Sequence, residues 1–157
     1  MTNKEIKITY SEYSSIDELS AQDRLVAEAA INATASSYAP YSGFNVGAAV
    51  MLEDGEIITG SNQENAAYPS GLCAERTAMF YAGAHRPDKA MVKIAIAGGQ
   101  NGVLCSNPAT PCGACRQVMA QYQAKGGRPM EVILVGGERI WKFSKVDDIL
   151  PLIFDSL

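Results

Sequence analysis

The first third of the chain combines a polar start with apolar residues at helical spacing. Residues 1–14 are mixed and polar and predict a partly ordered N-terminal arm. The segment 17–38 predicts the first helix, because its apolar positions recur at intervals of three, four and seven, at Leu19, Val26, Ala30 and Ala33. Ser15 is the predicted N-cap of this helix, with Glu18 as the acidic half of a capping box. Proline and glycine at 39–43 predict its end.

The rest of the chain alternates β-rich runs with helical segments. Residues 44–52 and 56–60 predict two strands joined by the hairpin signal Asp54-Gly55. Further strands are predicted at 92–97, 130–135 and 138–143, and further helices at 73–84, 112–123 and from 146 onward. The order α-β-β-α-β-α-β-β-α predicts an α/β fold with a single mixed sheet of about five strands sandwiched by helices. The sheet is expected to be mixed because hairpins pair strands antiparallel, whereas strand-helix-strand crossovers pair them parallel.

Length and charge narrow the classes of protein that fit this pattern. The 157 residues are 47% hydrophobic, so 1–157 is expected to form a single domain. The net charge is −4 and the positive residues form no run, which argues against a nucleic-acid partner. No apolar run reaches the roughly 18 residues of a membrane span, and residues 1–6 show no signal-peptide pattern. We expect a cytoplasmic protein without a membrane partner, whose four cysteines stay out of disulfides.

A C-x2-C motif, Cys112-Gly113-Ala114-Cys115, stands at the start of the third predicted helix. Its spacing places both sulfur atoms on one face, one turn apart. The free amide groups and the dipole of a helix N-terminus lower thiol pKa values and favour thiolates. On its own the pair fits half of a zinc site, a redox pair or two small buried residues.

A third cysteine, Cys73, begins the run CAER at 73–76, which is also a predicted helix start. It lies 39 residues before Cys112. Helix N-termini of neighbouring α/β units can meet at one end of a sheet, where three thiolates would supply three ligands of a tetrahedral zinc. The spacing therefore indicates a zinc site formed by Cys73, Cys112 and Cys115.

The number of ligands separates a catalytic zinc from a structural one. A catalytic zinc has three protein ligands and one position open to water, whereas a structural zinc normally has a fourth protein ligand. The spare candidates, Cys105 and His85, stand in no convincing ligand spacing. Glu75 lies two residues after Cys73, close enough to face that water without binding the metal. Zinc deaminases use this arrangement, with a non-ligand glutamate that moves protons.

Four stretches of the sequence carry a family resemblance: 38–49 (YAPYSGFNVGAA), 62–68 (NQENAAY), 73–78 (CAERTA) and 111–117 (PCGACRQ). Together they resemble the cytidine deaminases of the small, homotetrameric, zinc-dependent type with three cysteine ligands. They stand in the family's order with family-like spacing, and the resemblance extends from about residue 24 to residue 154. The last two stretches together are very specific, whereas C-x2-C alone is a weak signal.

The resemblance implies a reaction, namely zinc-dependent hydrolytic deamination of cytidine and 2'-deoxycytidine to uridine and 2'-deoxyuridine with release of ammonia, in pyrimidine salvage. It implies one Zn2+ per chain, with the three cysteines as ligands. Zinc-bound hydroxide would attack C4 of the cytosine, and Glu75 would be the catalytic residue that shuttles protons. Three thiolates leave a net charge of −1 around Zn2+, which in the family an arginine after the glutamate offsets. Arg76 occupies that position, and Arg116 is a second candidate for this charge compensation.

The resemblance also implies a substrate pocket. Asn62 and Glu64 occupy the family's N-x-E positions, which bind the ribose hydroxyls. A carboxylate there would repel a 3'-phosphate, so free nucleosides are favoured over polynucleotides. Phe44 and Tyr68 would line the base pocket, and the backbone around Ala74 would contact the pyrimidine oxygen.

The C-terminal run 150–154, LPLIF, resembles the family's L-P-x-x-F ending. In the family this aromatic residue enters the active site of a neighbouring subunit. Phe154 is therefore a substrate-binding candidate, and we expect a homotetramer with active sites at subunit interfaces.

Other functions fit the sequence less completely. A deaminase of a related cytosine nucleoside, such as blasticidin S, is the main alternative because only pocket residues would differ. A polynucleotide deaminase typically has a histidine ligand and a basic surface. A structural zinc module would need a fourth protein ligand, and a thiol oxidoreductase would leave Cys73 and Glu75 without a role.

Overall fold

A seven-stranded sheet lies at the centre of the fold, in a computed structural model that describes residues 1–155. Its strands are β1 (Ser11–Tyr13), β2 (Phe44–Leu52), β3 (Ile57–Ser61), β4 (Met91–Gln100), β5 (Val103–Leu104), β6 (Glu131–Val135) and β7 (Ile140–Phe143). The α-helices are α1 (Ala21–Ala33), α2 (Ala74–His85) and α3 (Gly113–Gly126). Single 3-10 turns occur at Ile16–Glu18, Thr34–Ser36, Tyr68–Ser70 and Val146–Asp148.

The strands lie in the order β1-β7-β6-β4-β2-β3, with β5 paired to the end of β4. The pair β4 and β6 is parallel, and the other pairs in this order are antiparallel. The helix α3 lies between these two strands in the sequence and connects them, as expected for a strand-helix-strand crossover. The α/β class and the single mixed sheet are therefore confirmed.

Helices cover both faces of the sheet. Alternate residues of β4 divide the core, with Ile94 and Ile96 packed on the side of α2 and α3, and Ala95 and Ala97 packed on the side of α1. The approach of α2 to β3 depends on Gly60, where a Cβ atom would lie 2.8 Å from the carbonyl oxygen of Ala74. This close contact fixes the start of α2 against the sheet.

Two strands exceed the predicted number. The arm expected to be only partly ordered contains β1, which pairs antiparallel with β7, and Tyr10 packs against Trp141 with ring centroids 5.7 Å apart. The other additional strand, β5, has two residues. The side chains of both strands are mostly exposed. With only two or three residues, neither strand is long enough to show the alternating apolar pattern that identifies a strand in a sequence.

Some predicted helix bounds are wrong. The predicted helix at 17–38 is a 3-10 turn, then α1, then a second 3-10 turn. Ser15 caps the first turn, whereas Ser20 caps α1 by accepting a hydrogen bond from the Asp23 amide at 3.2 Å. The last predicted helix is a single 3-10 turn that begins at Val146. No helix in the described residues is long and apolar enough to cross a membrane.

A buried ion-pair cluster joins α1 to the sheet on the face away from α2. The Asp23 carboxylate, 3% exposed as a residue, accepts hydrogen bonds from Lys93 and Lys142 at 2.7 Å each. Glu131 also pairs with both lysines. Burial by itself would raise the pKa of Asp23, but the hydrogen bonds from Lys142 and Lys93 outweigh it and lower that pKa.

Candidate metal and active site

Three thiols meet where α2 and α3 begin. Cys73 is the N-cap residue of α2, Cys112 is the N-cap residue of α3, and Cys115 lies in the first turn of α3. Their sulfur atoms all lie within 4.8 Å of one another. Cys115 is buried, Cys73 is half-buried and Cys112 is exposed, so the cluster connects the interior to the surface.

The donor set and its dimensions fit zinc. Thiolates are preferred zinc ligands, and sulfur atoms bound tetrahedrally to one zinc lie roughly 3.8 Å apart. The Cys112 and Cys115 sulfur atoms are 3.5 Å apart, and in the described part of the chain these three thiols form the one cluster of metal-ligating side chains. Cys105 and His85 are not part of it. Three protein ligands leave a fourth position of a tetrahedral metal open.

Positive charge lies against the cluster. A terminal guanidinium nitrogen of Arg76 is 3.5 Å from the Cys73 sulfur. The hydrogen bond with Cys115 and the proximity of Arg76 lower the pKa of Cys73 to about 5, while the pKa of Cys115 is raised by the same sulfur contact and by burial. The Nε group of Arg76 is buried and has no hydrogen-bond partner among the described residues. Arg76 therefore stabilises a negatively charged sulfur at Cys73.

A buried carboxyl group lies beside the thiols. Glu75 is 5% exposed and belongs to the first turn of α2. Burial raises the pKa of its carboxyl group, because a charged carboxylate is disfavoured away from water. A carboxyl group with a raised pKa keeps its proton to a higher pH than an exposed one, which suits a group that donates a proton to a substrate.

Cys73, Cys112 and Glu75 line a cavity of about 490 Å³, a volume within the range of small-molecule sites. The cavity brings together nine of the twelve predicted site residues: Phe44, Asn62, Glu64, Tyr68, Cys73, Ala74, Glu75, Arg76 and Cys112. They come from β2, from the loop after β3, from the loop before α2, from α2 itself and from the N-cap of α3. Cys115 lies beneath this surface, because it is fully buried.

The polar wall of the cavity is held by main-chain contacts. The Asn62 side chain donates to the Phe44 carbonyl at 2.9 Å and accepts from the Val46 amide at 2.8 Å. It therefore ties the loop after β3 to the start of β2 and holds Phe44 in place. Tyr68, on the rim, is exposed and makes an edge contact with Tyr41, with ring centroids 6.2 Å apart.

Two of the predicted site residues lie away from this cavity. Arg116 donates from Nε to the Pro111 carbonyl at 2.8 Å and from a terminal nitrogen to the Ile149 carbonyl at 2.9 Å. These bonds hold the loop before Cys112 and the C-terminal turn, so the structure gives Arg116 main-chain partners instead of sulfur. Phe154 is 65% exposed and does not line the cavity of its own chain.

The cavity also contains residues to which the sequence analysis gives no role. Ser42 contacts Glu64, and Val46, Leu72, Ile96 and Thr110 are among the other lining residues. Ser42 belongs to the stretch 38–49, but a serine before a glycine is a common turn residue. The apolar lining residues have ordinary strand or loop patterns, so no signal in the sequence distinguishes them from core residues.

Comparison with known proteins gives consistent results. The family described as "Cytidine and deoxycytidylate deaminase zinc-binding region" matches residues 20–126. A cytidine deaminase of Sporosarcina psychrophila is 42% identical over 118 residues, which cover 74% of this chain and 79% of that protein. A cytidine deaminase of Halalkalibacterium halodurans is 46% identical over 99 residues, which cover 62% of this chain and 70% of that protein.

Solved structures agree with the sequence matches. The crystal structure of a cytidine deaminase from Burkholderia pseudomallei superimposes with a TM-score of 0.69 at 40% identity, covering 83% of this chain and 97% of that one. A cytidine deaminase from Mycobacterium tuberculosis superimposes with a TM-score of 0.66 at 29% identity, covering 87% of this chain and 100% of that one. The chain is therefore similar to these proteins over nearly their whole length.

Proposed function

This chain belongs to the cytidine and deoxycytidylate deaminase family, and we propose that it hydrolyses cytidine and 2'-deoxycytidine to uridine and 2'-deoxyuridine with release of ammonia. One observation carries the proposal: a cluster of three thiols and a buried carboxyl group, Glu75, lies at the wall of a cavity large enough for a small molecule. The family match and the related cytidine deaminases support the same reaction.

The thiols of Cys73, Cys112 and Cys115 would hold one Zn2+ per chain. Bound zinc supplies a Lewis acid that lowers the pKa of a water molecule to near neutrality. The residues around the thiols support that chemistry by withdrawing charge from sulfur. Arg76 does so from its contact with Cys73, and the amide groups at the two helix N-termini add partial positive charge.

Glu75 moves the protons of the reaction. Its carboxylate accepts a proton from the attacking water, donates that proton to N3 of the cytosine, and then helps to protonate the departing amino group. A C4–O bond forms and the C4–N bond breaks, so that water and the nucleoside become ammonia and the deaminated nucleoside. The raised pKa of Glu75 suits a group that alternates between acceptor and donor.

The remaining lining residues bind and orient the nucleoside. Phe44 and Tyr68 offer aromatic surface to the base, and the backbone at Ala74 faces the same cavity. Asn62 and Glu64 present an amide and a carboxylate to the sugar. Hydrogen bonds lower the pKa of Glu64, and the bond from Ser42 makes the largest contribution. Glu64 is therefore an anion at neutral pH, which would accept hydrogen bonds from sugar hydroxyls and repel a phosphate.

The active unit in this proposal is a homotetramer in the cytoplasm. Phe154 and Leu152 are large apolar residues exposed on the C-terminal segment, as expected for side chains that a neighbouring subunit covers. Phe154 would then contribute to the active site of that neighbour. The single domain 1–157 is likewise part of this proposal.

The test is turnover of cytidine by the purified chain, followed by the loss of ultraviolet absorbance and by ammonia release, with zinc measured in the same sample. About one zinc per chain and steady turnover are expected, and both should disappear on chelation. Cys115→Ala should lose zinc and turnover, while Cys105→Ala, a cysteine outside the cluster, should keep both. Zinc without turnover of cytidine would contradict the proposed substrate, and blasticidin S would then be the next substrate to assay.

A further inference from the structure

A serine at the turn before β2 holds the carboxylate that faces the sugar side of the cavity. The Ser42 hydroxyl donates to Oε1 of Glu64 at 2.5 Å. The amide groups of Tyr41 and Ser42 donate to Oε2 of Glu64 at 3.0 and 3.2 Å. The carboxylate is therefore fixed by three hydrogen bonds from two adjacent residues.

The direction of the Ser42 hydroxyl is itself determined. The Phe44 amide donates to Oγ of Ser42 at 3.0 Å, so the hydroxyl hydrogen is available for Glu64. The Ser42 carbonyl accepts a hydrogen bond from the Gln100 side chain at 2.9 Å. The next residue, Gly43, has a φ of 65°, a backbone conformation that residues other than glycine rarely adopt. Ser42 is thus anchored on several sides and not free to rotate away from Glu64.

The carboxylate of Glu64 keeps a hydrogen-bond acceptor position for a ligand. A carboxylate offers about four acceptor positions, two on each oxygen. On Glu64 both positions of Oε2 are used by main-chain amides, and one position of Oε1 is used by the Ser42 hydroxyl. These three bonds leave one position of Oε1, on a carboxylate that the Tyr68 side chain also approaches, and Ser42, Phe44 and Glu64 all line the cavity. The carboxylate can therefore accept one hydroxyl from a ligand, on the oxygen that Ser42 orients.

We propose that Ser42 is a specificity-determining residue, which positions Glu64 to accept the 3'-hydroxyl and so sets the preference for nucleosides that carry this group. The inference rests on the proposed function, because it takes a cytosine nucleoside as the occupant of the cavity. Ser42 acts through Glu64, so it is a positioning residue and not a catalytic one. Its effect belongs in substrate binding and in discrimination between sugars.

The experiment compares two substrates that differ only in the 3'-hydroxyl, 2'-deoxycytidine and 2',3'-dideoxycytidine. Ser42→Ala is expected to lower kcat/KM for 2'-deoxycytidine by about tenfold, mainly through KM. The charge-assisted hydrogen bond from Ser42 to Glu64 is lost, so the carboxylate is no longer oriented toward the 3'-hydroxyl. The rate with 2',3'-dideoxycytidine, which cannot use that contact, should change by no more than about twofold. Ser42→Thr keeps the hydroxyl and should restore the preference.

A matched control is available in Ser106→Ala, since Ser106 also donates to a glutamate, Glu138, at 3.1 Å but lies away from the cavity. This variant should keep the substrate preference of the unsubstituted enzyme. An equal loss with both substrates in Ser42→Ala, or an unchanged preference, would overturn the role of Ser42 while leaving the deaminase intact. Absence of turnover by the unsubstituted enzyme would instead overturn the proposed function.

Discussion

The guanidinium of Arg76 lies 3.5 Å from the sulfur of Cys73, three residues earlier at the start of α2. Residues three apart lie on one face of a helix, so the same short segment supplies a metal ligand and the positive charge beside it. Between them stands Glu75, whose carboxyl group is buried. One helix turn thus provides a thiol, a buried carboxyl group and a positive charge.

Arg76→Ala is expected to retain the fold and to lower zinc affinity or turnover by about 10- to 100-fold, because charge is no longer withdrawn from the sulfur atoms. Zinc titration and steady-state kinetics on the same preparation measure both effects. Arg86→Ala is the control, since Arg86 follows the other end of α2 and pairs with Glu56 at the surface. A fully metallated and fully active Arg76→Ala enzyme would contradict the account.

Arg116→Ala is expected to act on stability. Its guanidinium donates to the carbonyls of Pro111 and Ile149, and loss of two such bonds should lower the free energy of unfolding by about 2 kcal/mol. Zinc stoichiometry at saturating metal should stay unchanged. Thermal unfolding with a zinc assay separates the two effects. Unchanged stability with weakened zinc binding would show that Arg116 compensates the charge of the thiolates after all.

Phe154→Ala is expected to lower kcat/KM by about tenfold and to leave zinc content unchanged, because an aromatic contact in the neighbouring site is lost. Val103→Ala, a change in an exposed apolar residue outside the C-terminal segment and the cavity, should have little effect on turnover. Co-expression of Phe154→Ala with Glu75→Gln subunits should yield more activity than the two parents combined. The reason is that hybrid tetramers would contain sites that have both Glu75 and Phe154. Activity no greater than that of the two parents combined would contradict shared sites.

Asp23→Asn is expected to lower the free energy of unfolding by about 3 kcal/mol near neutral pH, because it breaks a buried ion pair. The pKa of Asp23 is lowered in the folded protein, so its contribution is fully present above the unfolded pKa of about 4 and is lost as the pH falls through the lower, folded value. The difference in unfolding midpoint between the unsubstituted protein and Asp23→Asn should therefore shrink in acid.

Glu28→Gln is the control for this cluster, because Glu28 lies on the exposed side of α1. Its unfolding midpoint should follow that of the unsubstituted protein at every pH. A difference for Asp23→Asn that is constant from neutral to acid pH would show that the ion pairs with Lys93 and Lys142 do not stabilise the fold in this way.

The cysteine cluster could be predicted because two of its residues stand at a short spacing that is typical of metal ligands. The Cys112-to-Cys115 interval and the helix starts at both motifs are visible in the sequence, and the family resemblance joins them. The class of the sheet was predictable for a similar reason, since hairpin and crossover signals are local. The strands β1 and β5 were not, because two or three residues carry no period.

The contacts of single side chains depend on distant parts of the chain and could not be predicted. Arg116 bonds to a carbonyl 33 residues away, at Ile149, and the Asn62 amide binds the main chain of β2. Ser42 and Glu64 are 22 residues apart, and only the fold places the hydroxyl on the carboxylate. Sequence patterns report periodicity and local chemistry. The contacts of Asn62 and Glu64 follow instead from the packing of β2 against the loop after β3, and the contact of Arg116 follows from the packing of α3 against the C-terminal turn.

The proposed role of Glu75, moving protons at a zinc held by three thiols, is tested by the rate of ammonia release from cytidine by the Glu75→Gln enzyme. Glutamine keeps the size of the side chain but cannot carry a proton at neutral pH. Zinc content should remain that of the unsubstituted enzyme, and kcat is expected to fall by about a thousandfold. A zinc-loaded Glu75→Gln enzyme that releases ammonia at the unsubstituted rate would contradict it.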